Sequence, residues 1–315
     1  MKILSIIYGN PSSYAILDNG NLESSKVFSS GENPFLQARS DTDIDNIKYF
    51  DTTFPHSNLI SKNKKDYREI QKIAQKNEGQ IYCLGNNQAI AANSYFSTNF
   101  DSSLIVTMMD EGEEQDGFKS SFSLWEGVKN NISPVHTFSS SEINVIRIWS
   151  NICQAIFGMP PSIESFSKIV DISKNGDSKK YKDKIWKMIT KNHPTMSLSL
   201  SDENIRSYLD VFKRNDINTE EKTFIAAALQ QCTIEMFLKI LDSVNEISEI
   251  KNISLSGLSS FNNDLISSLR SRYPEISIQI SDRNDIDEIS IGAAKYIWHE
   301  ILGNDRDTKD KKEIQ

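Results

Sequence analysis

Four histidines and three cysteines are the side chains best suited to hold a metal or act as nucleophiles, and their spacing works against both roles. His56, His136, His193 and His299 stand far apart, without the His-x-x-x-His or Glu-x-x-His spacing that places two ligands on one helix face. Cys83, Cys153 and Cys232 are odd in number, widely separated and set among apolar residues. Buried free thiols are therefore expected, not a disulfide frame or a zinc knuckle. A different chemistry is open to "NISLSGLSSFNN", residues 252–263. There a strand ends in Ser256-Gly257 and runs into a helix, whose first backbone N–H groups can face an anion. Strand, glycine and helix recur in many folds, so this signal is weak by itself.

The elements that would position these residues follow from periodicity. "KILSIIYG" and "YAILDNGNLESSKVF" predict two strands joined by a tight hairpin at Asp18-Asn19-Gly20-Asn21, residues that tolerate positive φ. Residues 29–60, with Gly31, Pro34 and Pro55 and no sustained period, are expected to be mostly loop. Tyr67, Ile70, Ile73 and Ala74 share one face of a helix from about Lys64 to Asn77, and a short strand follows at Gln80–Leu84. "NQAIAANSYFS" has helical spacing and "SLIVTMM" is a compact apolar strand. Residues 118–126 and 131–138 flank Gly127-Val128-Lys129-Asn130 as a hairpin.

Beyond Ser140 the pattern turns helical. Ser141 is placed to cap a helix carrying Ile143 through Ile156 that ends at Gly158. Two amphipathic helices are expected over 177–218, the second capped by Ser201. A long helix begins at Thr219, with Glu220 and Glu221 favourably placed against its dipole. Its apolar seam, Ile225, Ala228, Leu229, Cys232, Met236, Ile240 and Leu241, reads as core. A strand, a Gly turn, a helix, the strand "EISIQIS" and a last helix with Gly292-Ala293-Ala294 at a close contact complete the chain. The charged tail from Asn304 is expected to be disordered. The lobes predicted from this pattern are 1–140 and 141–303, with a helical insertion at about 177–218. No short repeat is visible, although the halves are each long enough to be one lobe of a duplicated fold.

Composition narrows the function classes. At 315 residues, with net charge -8 and 38% hydrophobic residues, the chain reads as an acidic globular protein of two domains or one two-lobed domain. Its Lys-rich patches at 62–76 and 168–187 are interleaved with Asp and Glu, as on solvated faces. Nucleic acid is therefore not an expected partner. Continuous apolar runs such as Ile3–Tyr8 and Phe224–Leu229 are too short to cross a bilayer, and no signal-peptide core follows Lys2. A cytoplasmic protein without a membrane partner is expected.

The order of segments resembles the N-terminal actin-like domain of the O-carbamoyltransferases, relatives of the universal tRNA threonylcarbamoylation protein and of the nodulation and antibiotic carbamoyltransferases. The stretches that carry the likeness run nearly the length of the chain. They are "ILSIIYGNPSSYAILDNGNL", "NNQAIAANSYFSTNFDSSLIVTMMDEGEE", "SFSLWEGVKNNISPVHTF", "NVIRIWSNICQAIFGM", "KIVDISKNG", "IAAALQQCTIEMFLKIL", "NISLSGLSSFNN" and "ISIGAAKY". The resemblance implies an α/β, two-lobed actin-like or ribonuclease-H-like (ASKHA) fold with a helical insertion in the second lobe.

It also implies a metal held by two His one helical turn apart and by Asp residues of both lobes, beside a nucleotide or carbamoyl-adenylate. At those positions this chain has Asn86 and Ile90 in place of the His pair. Met109 stands at the first Asp position, with Asp110 one residue late, and Ile286 stands at the second, between Asp285 and Asp287. A neutral amide is a poor ligand for a transition metal, and Ile is none. Only Asp110 with Asp285 or Asp287 is left as a catalytic candidate, able to hold Mg²⁺ through water if the register slips by one.

A surviving nucleotide site would use Ser256, Gly257, Ser259 and Asn262, with Asn10, Ser12 and Ser13 as the opposite phosphate loop and ATP with Mg²⁺ as the cofactor. Turn formation and helix capping are the plainer roles for each of these Ser and Asn residues. Full carbamoyltransferases also carry a C-terminal domain that makes carbamoyl-adenylate, and that domain is not expected here. Three functions stay open. They are a non-catalytic or weakly active partner of a complete carbamoyltransferase, as homodimer or heterodimer; a transfer component fed with carbamoyl-adenylate; and a nucleotide-binding module without transfer.

Overall fold

In a computed structural model of the chain, the described residues are 1–8, 12–28, 32–53, 63–113, 119–139, 142–189, 217–245, 250–257, 262–281 and 288–306. Within them ten strands form two five-stranded sheets.

The first sheet is built from β1 (Lys2–Ile7), β2 (Ser12–Asp18), β3 (Asn21–Phe28), β4 (Tyr49–Thr53) and β5 (Gln80–Tyr82), in the order β3-β2-β1-β4-β5. β1, β2 and β3 are antiparallel neighbours, while β4 and β5 run parallel to β1. The second sheet contains β6 (Ser102–Glu113), β7 (Lys119–Val128), β8 (Asn131–Ser139), β9 (Asn252–Gly257) and β10 (Ser277–Ile280). Its order, β8-β7-β6-β9-β10, repeats that of the first sheet strand for strand, with the same directions. The chain is thus two copies of one topology, which no residue-by-residue similarity between its halves announces.

Pairing moves the boundary between the lobes. Strands β6 to β8, placed in the first lobe by a division at residue 140, hydrogen-bond instead into the second sheet, where β6 is the central strand. The partner that draws them there, β9, is about 150 residues away and invisible to local pattern.

The β2–β3 hairpin has the expected turn, with Asn19 at φ 48 and Gly20 at φ 82. Two positive φ values in a two-residue turn match the twist of the flanking strands. Within the stretch expected to be loop, residues 32–53 hold regular structure. Asn33 caps α1 (Pro34–Asp41) by accepting from the N–H groups of Phe35 and Leu36, and Pro34 sits in the first turn, where its missing N–H costs nothing. The central parallel strand β4 lies here too. Its polar residues Asp51, Thr52 and Thr53 hid it. Residues 54–62 are outside the described part.

Helix α2 (Lys64–Lys76) covers the outer face of the first sheet with α1, burying Ile70, Ile73 and Ala74 against Leu4, Ile6, Phe35 and Phe50. Helix α3 (Asn86–Phe96) packs on the inner face of the second sheet. The outer face of that sheet carries α4 (Val145–Ile152), α5 (Ile163–Ser173), α6 (Lys179–Ile189), α7 (Thr219–Asn245) and α8 (Asn263–Arg272) around a core of Phe122, Leu124, Ile148, Leu229, Phe237 and Leu255. Fully burying each such side chain is worth about 1.5–3 kcal/mol, which makes this cluster the main source of stability.

Asn144, not Ser141, caps α4, accepting from the Arg147 N–H at 3.0 Å; Ser141 lies outside the described residues. The helix continues as a wider π turn over Cys153–Phe157 and stops at Gly158 in the left-handed region. By length and composition alone α7 is apolar enough to cross a membrane over Thr219–Val244, but 67% of its most apolar window is buried inside the protein. Its predicted seam is core from Ile225 to Leu241. The second predicted helix of the 177–218 insertion, with its cap Ser201, falls outside the described residues.

Helix α9 (Glu288–Tyr296) lies on the inner face of the first sheet and against α3. The layers therefore run α1 and α2, first sheet, α9, α3, second sheet, then α4 to α8. At the α3–α9 crossing a Cβ on Gly292 would stand 1.8 Å from the Ala89 carbonyl oxygen, so only glycine fits. The predicted close contact is real. Residues 304–306 are ordered, against the expectation of a disordered tail; 307–315 lie outside the described residues.

Candidate functional site

The carboxyl ends of β1 and β4 in the first sheet, and of β6 and β9 in the second, meet at one end of the molecule, where α3 also begins. In open α/β folds this is where ligands bind. The candidates that are described, Ser12, Ser13, Asn86, Gly257 and Asn262 among them, lie at these strand and helix ends, although several serve the scaffold.

Ser13 is buried at the start of β2 and donates to Ser290 of α9 at 3.2 Å, while Ser12 reaches the Glu32 carbonyl at 3.5 Å. Both hydroxyls bond within the protein and give no evidence of a phosphate loop. Asn10 and Ser259 fall outside the described residues. Asn262 caps α8 by accepting from Leu265 N–H at 3.1 Å and exchanges amide hydrogen bonds with Gln230 at 2.6 and 2.8 Å. The capping role is the one realised. Ser256 is fully buried in β9, on the face turned towards α3. Gly257 has φ +66, and a Cβ there would meet the Met108 carbonyl oxygen at 2.3 Å, so the turn leaving β9 needs glycine twice over.

The two positions of the family's His pair lie on α3 as expected, one turn apart. Ile90 is 4% exposed. Asn86 is half-buried, with its Oδ1 atom sealed from solvent and without a hydrogen-bond partner. An apolar side chain and one amide oxygen do not fit a transition metal. Met109 is half-buried in β6. Asp110 follows it in the same strand, the centre of the second sheet, near the end that faces the cleft. Asp285 and Asp287 are outside the described residues. Among the described residues no three His, Cys, Asp or Glu side chains converge on one point.

The thiols and imidazoles are not brought together either. Cys153 and Cys232 are buried as expected, and burial pushes the Cys232 thiol up to about 12, which keeps it protonated. Cys83 is exposed, contrary to expectation, because β5 is an edge strand and ends before it. His136 stands edge-on to Phe138 on the edge strand β8, and His299 stacks on Phe96 with Nδ1 3.0 Å from the Asn304 carbonyl oxygen. His56 and His193 are outside the described residues.

What lines the inner layer instead is hydrogen-bonding, and beside the cleft on the second sheet it is neutral. The Asn87 amide, wholly buried in the first turn of α3, donates to Ser120 Oγ at 2.5 Å and accepts from Thr107 at 2.8 Å. Thr107 is flanked in register by Ser123 and Ser256, and one step deeper Ser103 and Ser254 share a 2.9 Å hydrogen bond. Deeper in the α3–α9 contact, Asn93 joins Ser281 at 3.2 Å and Glu288 at 3.5 Å, and Lys295 donates to Asn93 and Ser97. In the first lobe Asp51 is fully buried, accepting from Ser5 Oγ at 2.9 Å and from Leu84 N–H at 3.2 Å.

On the outer side, Tyr8 and Asn33 both donate to Asp66, and burial together with that carboxylate pushes the Tyr8 phenol far above its ordinary range. Sequence reasoning missed Asp51 with its strand. The one available sign of Asn87 and Asn93 was two amides inside an otherwise small and apolar helix.

A small depression of about 20 Å³, room for about one water molecule, adjoins the cleft in the second lobe. Met108, Trp149, Phe166, Val170 and Leu265 give it apolar walls, and Asn262 and Thr233 are its main polar groups. Thr233 is already bound to Trp149 Nε1 at 3.0 Å and Asn262 to Gln230, so both polar groups are engaged and the space does not hold a ring without movement of its walls.

No protein-family model matches the chain, and no curated protein matches it. Solved structures do. HypF from T. kodakarensis superposes with a TM-score of 0.58 at 10% identity over 96% of this chain and 48% of its own. A full-length HypF in a phosphate- and nucleotide-bound form gives 0.54 at 14% identity, over 96% and 47%. The (R)-2-hydroxyglutaryl-CoA dehydratase component A of Acidaminococcus fermentans gives 0.50 at 10% identity, over 96% and 99%. The chain thus spans about half the length of the HypF chains it matches. It has the two-lobed α/β actin-like fold of these proteins.

Proposed function

We propose that this chain is a carbamoyltransferase-like member of the actin-like fold that acts as a non-catalytic or weakly active cytoplasmic partner of a complete carbamoyltransferase. The observation that carries the proposal is Ile90, buried at 4% exposure on the α3 face where the resembling family has its second His, with Asn86 one turn earlier. The surrounding layer contains amide and hydroxyl pairs such as Asn87 with Thr107 and Ser120, which fasten α3 to the second sheet without supplying a charge to polarise a carbamoyl group. The likeness in fold to HypF, at 10–14% identity, supports the same choice of family.

The long helix α7 is core, so a partner would dock on other surfaces. Co-elution with a carbamoyltransferase from the native cell at fixed stoichiometry is the expected result. A monomer with no such partner contradicts the proposal.

The start of α8 favours one alternative, a nucleotide-binding module without transfer activity. Its first turn follows the Gly257 turn at the cleft, and backbone N–H groups there can face a phosphate. Calorimetric titration with ATP and Mg²⁺ separates the two, since a saturating signal supports the module and an absent signal excludes it. A transfer component supplied with carbamoyl-adenylate would need the same signal and, in addition, a carbamoylated product.

A further inference from the structure

The ends of the sheets opposite the cleft are joined by a strap that no catalytic reading uses. After α9 the chain makes one wide π turn, Ile297–Ile301, and runs on through Arg306. The Trp298 indole lies on Gly20, at the tip of the β2–β3 hairpin in the first lobe. Glu300 accepts from the Ile132 N–H of β8 at 3.0 Å, in the second lobe. The Asn304 carbonyl accepts from Asn130 at 3.1 Å, at the tip of the β7–β8 hairpin.

Arg306 then grips the segment 97–101, which connects α3 to β6. Its Nη1 donates to Phe100 O at 2.6 Å, its Nη2 donates to Tyr95 O at 2.9 Å and Thr98 O at 2.6 Å, and its guanidinium lies 4.1 Å from the Tyr95 ring centroid. The β7–β8 turn is bound to the same segment, since Lys129 N–H donates to Asp101 O at 2.7 Å.

We infer that the strap 297–306 ties the two lobes together at the end opposite the cleft and so sets their separation at the cleft. One planar cation bonded to several carbonyls of the α3–β6 connection anchors the end of the strap to the second lobe. Trp298 and Glu300 tie the same strap to one hairpin or strand of each lobe, so the lobes cannot rotate apart without breaking it.

The test uses the full chain with Arg306→Ala, and with Arg39→Ala as a control that loses only an exposed ion pair to Glu69. Amide hydrogen exchange in 97–101 is expected to accelerate about tenfold or more in Arg306→Ala while α2 is unchanged, as for a local opening. Spin labels at the exposed positions Val27→Cys in β3 and Val135→Cys in β8, in a Cys83→Ser background, are expected to show a broader distribution of distances between the lobes. Uniform acceleration through the whole chain, no acceleration, or a local effect with an unchanged distance distribution each overturns the inference. If Arg306→Ala does not fold, Asn130→Ala, which loosens the strap from a half-buried turn, is judged by the same two readouts and the same outcomes.

Discussion

The first sheet meets α9 and the turn after it through hydrocarbon towards the base, Ile3 and Leu17 against Ala294 and Ile297, and through one hydroxyl pair, Ser13 with Ser290, near the cleft. The second sheet meets α3 through amide and hydroxyl groups near the cleft, and through Ile105, Trp125, Tyr95 and Phe96 only towards the base. The strand order is the same in both, so topology does not set the chemistry of the inner layer. Side chains at alternate strand positions do, and in the second lobe Ser103, Thr107, Ser123, Ser254 and Ser256 keep that layer polar without charging it. Such a layer fastens α3 to its sheet, and it would need added ligands to hold an ion.

The largest effect is expected where both helices touch. Gly292→Ala puts a methyl into the Ala89 carbonyl, an overlap that forces α3 and α9 apart and should cost about 3 kcal/mol or more, seen as a lower denaturant midpoint. Next comes a direct contrast of the two faces. Asn87→Ala leaves two buried hydroxyls of the second sheet short of a partner and should cost about 2 kcal/mol, whereas Ser13→Ala removes one hydroxyl pair on the first sheet and should cost about 1 kcal/mol or less. Equal costs would break the contrast.

The smallest effect concerns pH. Burial raises the Glu300 carboxyl above its ordinary range, against the opposing pull of the Ile132 N–H and the Tyr296 hydroxyl. The folded state therefore holds that proton more tightly than the unfolded chain. This contribution to stability is complete below the ordinary carboxylate value of about 4 and is lost as pH rises through the raised one. Glu300→Gln keeps an acceptor for Ile132 and should melt slightly higher than the parent at neutral pH, with the gap closing in acid. A gap that widens in acid would show the sign to be wrong.

Local chemistry made some parts of this fold legible and left others hidden. The turn at Asn19-Gly20, the helix face of Ile70, Ile73 and Ala74, and the close approach at Gly292 are each decided by residues near in sequence. Strand β4 was missed because Asp51 and Thr52 look like loop residues, and the partners that satisfy Asp51, Ser5 and Leu84, are both distant in sequence. The lobe boundary was misplaced because the change from strands to helices near residue 140 is a change of layer, not of lobe. Asn262 shows the opposite case, a residue whose plain role as a cap was readable and is the one it performs.

Metal binding tests the central claim most directly. The purified protein would be analysed for iron and zinc, then titrated with each ion under reducing, anaerobic conditions while intrinsic fluorescence and bound metal are followed. Less than a tenth of an equivalent, on the order of adventitious binding, is the expected result for an α3 that presents Asn86 and Ile90. One tightly bound equivalent that disappears in Asn86→Ala or Asp110→Asn would contradict it.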